Sequence, residues 1–131
     1  MKKAVRALID SKILGRALLV GVVLEAGLML TSHLRPLLRI HYALFGCMMI
    51  AGTAGLLYAR DLARGYVQGA LGGLVIGAAC GLTAVGVANW LGDRPDQFLP
   101  YGVMIAALIG AIGGLFGQYA AWIRAFIATL R

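Results

Sequence analysis

With 131 residues, 61% of them hydrophobic and 13% charged, and a mean hydropathy of +0.88, the chain carries more apolar surface than a soluble core of its size can hide. The net charge of +7 sits at the ends of apolar runs, not in a patch interleaved with exposed aromatics. This argues against a nucleic-acid surface and for charge that reports membrane topology.

The first segment, 1–12, sets Val5, Leu8 and Ile9 at helical spacing, continued by Ile13, with Lys2, Lys3, Arg6 and Lys12 between them. It fits a short amphipathic helix on anionic lipid headgroups; a basic tail that only sets topology explains it equally well. The apolar run that follows is too long for the core of a secretory signal, and no Ala-x-Ala site comes after it, so it reads as an uncleaved first span.

Four stretches, about 13–32, 37–58, 66–91 and 98–123, are each long enough to cross a bilayer, which takes about 20 helical residues. Pro36, then Asp61 with Arg64-Gly65, then Pro95 mark the short connections, so neighbouring spans run antiparallel. The predicted fold is an all-α membrane protein, one integral domain over 1–131, with four transmembrane helices in a Gly-rich antiparallel bundle. Lys2, Lys3, Arg6, Lys12, Arg16, Arg60, Arg64, Arg124 and Arg131 fall on one face, against Arg35, Arg39 and Arg94 on the other. That bias places both termini in the cytoplasm and the protein in the inner (plasma) membrane. Tyr58, Tyr66, Trp90, Phe98, Tyr101 and Trp122 stand at span ends and suit interfacial aromatic belts.

A shift of 59 residues aligns Gly27 with Gly86, Arg35-Pro36 with Arg94-Pro95, Tyr42 with Tyr101, Ile50 with Ile109, and Gly55-Leu56 with Gly114-Leu115. The match is faint, and biased composition explains much of it; a duplicated two-helix hairpin with both halves in the same orientation would produce it too.

Glycines dominate the second half. Gly65, Gly69, Gly73, Gly77 and Gly81 stand four apart, and the fourth span carries Gly102, Ala106, Gly110 and Gly114 beside a second row of Gly113, Gly117 and Ala121. Each glycine would cost a water-exposed helix about 1 kcal/mol relative to Ala, whereas in lipid bare backbone permits close helix packing. So many small faces exceed what four short helices are expected to consume, which predicts a homo-oligomer.

Glu25 is the leading candidate for function. It lies near the middle of the first span on the ridge Ala17, Gly21, Glu25, and so faces other helices. An isolated carboxylate there costs several kcal/mol, so the group must be protonated, paired or in contact with water. It is read as a proton- or cation-binding residue, with Thr53, Thr83 and Gln118 as candidate polar positions along a pathway. The bland alternative is a permanently protonated acid that donates one hydrogen bond to a carbonyl or to one of those three side chains. Arg16, nine residues away, reads as an interfacial anchor. Cys47 and Cys80 fall in apolar runs, so neither a disulfide framework nor a CxxC site is indicated. His33 and His41 flank the first outer turn at the membrane edge and read as polar caps before metal or haem ligands. Arg94-Pro95-Asp96 reads as a solvated turn before an outer gate.

No HExxH, GxSxG, GxxxxGK[ST] or EF-hand pattern occurs, and nothing indicates an enzyme, a metal or a cofactor. Ala63-Arg64-Gly65 through Val75-Ile76-Gly77-Ala78-Ala79 resembles the pore helix of large-conductance mechanosensitive channels, over under 20 residues and in a third span instead of a first. In size, in its four spans and in a central Glu on the first helix, the chain is similar to the small multidrug resistance exporters. Trp90-Leu91-Gly92-Asp93-Arg94 falls where those proteins turn between helices three and four. The chain departs from the pattern in lacking, in the third span, the aromatic residue that this family places in its binding site, and in its one-sided charge, and neither likeness assigns it to a family. The expected function is transport or permeation; the alternative is a non-catalytic scaffold or accessory subunit that docks a larger membrane protein through its glycine faces.

Overall fold

A computed structural model describes residues 10–93 and 99–130. It is built of helices α1 (Ser11–Leu34), α2 (Pro36–His41), α3 (Ala43–Leu62), α4 (Tyr66–Trp90) and α5 (Leu99–Thr129). All but the six-residue α2 are long and apolar enough to cross a membrane, and the molecule is a multi-pass all-α membrane protein. Large apolar side chains such as Leu19, Val23, Phe45, Leu108 and Phe116 point outward, as suits a bundle dissolved in lipid.

The helix ends follow from local chemistry. Asp10 caps α1, its carboxylate accepting from the Lys12 and Ile13 amides at 3.0 and 3.4 Å. Lys12 therefore belongs to the first turn of α1 instead of ending a separate amphipathic segment, whose remaining residues lie outside the described ones. The second span begins at Ala43, six residues later than expected. Pro36 opens the short α2, and the chain bends at Tyr42 (φ −120°, ψ −19°), which leaves Arg39 at the bundle end where it meets Asp93. At the end of α4, Gly92 takes φ +75° and the Asp93 amide reaches back to the Ala88 carbonyl at 2.8 Å, a left-handed cap that suits glycine. The fourth span, α5, runs six residues past its expected end at 123, because Arg124–Thr129 contains no helix breaker.

α3, α4 and α5 form a triangle, with the α4–α5 contact the most extensive, and α1 lies in the groove between α3 and α4. Glycine sets these separations. Gly73 and Gly77 of α4 abut Gly110 of α5, and Gly69 abuts Gly114. Gly55 of α3 meets Gly110 from the other side, and Gly52 meets Gly113. A Cβ on Gly110 would stand 2.7 Å from the Gly77 Cα, so the helices touch backbone to backbone. Gly81 packs on Ala106, and Gly117 lies against Leu56 and Ala59.

The described ladder glycines pack against helices of the same chain. Two expectations change. Gly65 stands before α4, with φ +130° and ψ 161°, in a backbone region reserved almost wholly for glycine. Tyr58 is no belt residue: it is fully buried with its ring against Gly72. Tyr66, Trp90, Tyr101 and Trp122 are exposed near helix ends, while Phe98 and the Arg94-Pro95 half of the repeat lie outside the described residues.

Candidate functional site

The inward ridge of α1 is Ala17, Gly21, Glu25 and Met29, one residue per turn, each buried. Small residues at 17 and 21 let α1 settle onto Ala54 of α3 and Cys80 of α4, whose Sγ lies over the Gly21 backbone. The same helical spacing drives Glu25 into the seam. Its side chain is 0% exposed, and neither carboxyl oxygen has a hydrogen-bond partner. The Cys47 thiol of α3 is the group positioned to donate to it, short of a formed hydrogen bond, and Cys80 is its other polar neighbour. Thiols are weak donors, so the site is close to apolar.

Glu25 stands between two clefts. One helical turn outward, Met29, Leu44, Cys47, Gly81, Ala84, Val85, Gly102 and Ala106 enclose about 30 Å³, at the lower end of what holds a water molecule. Two turns inward, Ala17 and Tyr58 form the floor of a cleft of about 270 Å³ between α1 and α3, with Arg16 and Arg60 at its mouth. The carboxyl group is sealed from both.

The candidate pathway residues do not gather around it. Thr53 is exposed on the outer face of α3. The Thr83 hydroxyl donates to the Ala79 carbonyl of its own helix at 2.9 Å. Gln118 is buried at the end of the bundle where α3 turns into α4; its Nε2 donates to the Ala59 carbonyl at 2.6 Å and its Oε1 accepts from the Gly65 amide at 3.1 Å. It therefore ties α5 to that turn. The hydrogen bond to Glu25 that a structural acid would make with any of these three is not formed.

Sequence reasoning missed Asp93. Its side chain, 8% exposed, accepts from Arg39 Nη1 at 2.5 Å and lies 2.9 Å from His33 Nδ1, joining α1, α2 and the end of α4. The His33 hydrogen bond, assisted by Arg39, holds the Asp93 carboxyl below the usual carboxylate range. The spacing of 60 residues between His33 and Asp93 hides the pair from any local motif. The His41 side chain and Arg94-Pro95-Asp96 lie outside what the structure describes. Among the described residues no three His, Cys, Asp or Glu side chains gather as metal ligands.

No protein-family model, curated protein or solved structure matches the chain. Function must therefore be argued from the site.

Proposed function

We propose that the chain is a small transport or permeation protein of the inner (plasma) membrane, with both termini cytoplasmic, in which Glu25 takes up and releases a proton. The observation that carries this is a fully buried carboxyl group whose two oxygens are both unpartnered, placed between two clefts. Buried polar atoms in membrane helices find partners unless some task keeps them free, and an orphaned acid in a seam of small residues stores a cost that a purely structural role does not need.

The surroundings favour a proton over a metal or organic cation. A hard cation needs several oxygen ligands, and here a single carboxyl group, sealed from both clefts, has thiols and alkyl groups around it. α1 supports a moving part: it lies outside the α3–α4–α5 triangle, and it is the least buried of the spans. A small displacement of α1 would open the seam at Gly21 and admit water to Glu25 from one cleft or the other. The glycine faces that favoured a docking scaffold are occupied within the chain.

The test is proton movement into liposomes containing the purified protein and an entrapped pH-sensitive dye, under an imposed gradient. Wild type and Glu25→Asp should conduct, and Glu25→Gln should not. Equal flux through Glu25→Gln would remove the carboxyl group from the mechanism.

A further inference from the structure

We propose that the cleft between α1 and α3 on the basic side of the bundle holds the phosphate of an anionic phospholipid. Its wall is Ile13, Arg16, Ala17 and Val20 of α1 with Leu57, Tyr58, Arg60 and Asp61 of α3, enclosing about 270 Å³. Arg16 lies nine residues from Glu25, about 14 Å along the helix axis, and so reaches the edge of a hydrocarbon core of roughly 30 Å. A guanidinium at that depth extends to the headgroup layer and meets phosphate oxygens in a planar fork. Arg60 of α3 lines the same cleft, with its Nε on Asp61 at 3.1 Å and its side chain 39% exposed.

Tyr58 lines the same cleft but is fully buried, its hydroxyl beside the backbone of Asp10. Asp10 itself is engaged by the Lys12 and Ile13 amides, with Arg64 at 3.9 Å, so Arg16 and Arg60 are the groups of this cleft that meet an anion.

A lipid fits better than free phosphate because half of the lining is apolar: Ile13, Ala17, Val20, which is 43% exposed, and Leu57 stand beside the arginines, where an acyl chain would lie. Cations exceed acids at this end: Lys12, Arg16, Arg60 and Arg64 stand against Asp10 and Asp61. The inference is independent of proton movement through Glu25.

Native mass spectrometry of the full chain, released from nanodiscs of phosphatidylcholine with or without phosphatidylglycerol, tests it. Wild type should retain one phosphatidylglycerol and no phosphatidylcholine. Arg16→Gln with Arg60→Gln should weaken that retention about thirtyfold. Arg124→Gln, a cation of the same face outside the cleft, should leave it unchanged. Equal retention of phosphatidylcholine, loss in Arg124→Gln as large as in the double variant, or full displacement by millimolar inorganic phosphate would each overturn a phospholipid site.

Discussion

Gly110 is where three helices meet, and a single methyl group there should open the bundle. A Cβ at this position would stand 2.7 Å from the Gly77 Cα and 2.9 Å from its amide nitrogen, and would overlap the Gly73 carbonyl. Every one of these atoms is backbone, so no side-chain rotation relieves the clash. Restoring ordinary contact requires α4 and α5 to separate by about 1 Å, which loosens the Gly69–Gly114 and Gly81–Ala106 contacts along the same seam. Overpacking of this kind costs about 1–3 kcal/mol, and a clash with backbone on two neighbouring glycines belongs near the top of that range, about a hundredfold in the folded-to-unfolded ratio. Gly86→Ala is the matched control, because a Cβ there meets nothing within 4 Å. Unfolding of both variants in mixed detergent, followed by circular dichroism, should show Gly110→Ala strongly destabilised and Gly86→Ala unchanged or slightly stabilised. Equal stability would refute close glycine packing as the basis of the triangle.

Asp93→Asn should cost no more than about 1 kcal/mol, because both partners, His33 and Arg39, are substantially exposed. The wild-type contribution is complete above the ordinary Asp pKa of about 3.9 and is lost as pH falls through the lowered folded-state value, so melting curves of wild type and Asp93→Asn should converge in acid. Gln118→Leu leaves the Gly65 amide unpartnered and strips the Ala59 carbonyl of its side-chain donor, leaving it only the Ala63 amide, and should destabilise by about 1–3 kcal/mol, with faster amide exchange confined to the α3–α4 turn. Gly92→Ala forces a left-handed conformation on a residue with a Cβ and should cost about 1–2 kcal/mol in the same unfolding assay, with Gly92→Asn milder.

Span number and antiparallel order were legible because hydropathy and breakers act locally: Tyr66 and Trp90 bound α4 within a residue of the expected 66–91. The late start of α3 was not, because Leu37, Leu38 and Ile40 prolong the apolar run around Arg39 and His41, and only the meeting of Arg39 with Asp93 shows why the chain bends there. The inward direction of Glu25 followed from Ala17 and Gly21 at four-residue spacing, since a helix carries a ridge with it. Its partners did not follow. Thr53, Thr83 and Gln118 have the right polarity, but each faces a direction fixed by which helices touch, and that depends on glycine contacts 30 or more residues apart in sequence. Tyr58 was misread for the same reason: its place at a span end suits a belt, and only Gly72 on the next helix makes room to bury it.

Whether Glu25 exchanges its proton during function is open to direct observation by infrared difference spectroscopy of the protein in liposomes. The carboxylic C=O band of Glu25 is identified by its absence in Glu25→Gln. If the carboxyl group carries protons, that band should rise and fall as a pH gradient is imposed and reversed, and it should shift in deuterated buffer on the timescale of proton flux. A band that stays constant in intensity and resists deuterium exchange under every gradient would contradict this, and would make Glu25 a permanently protonated part of the packing between α1, α3 and α4.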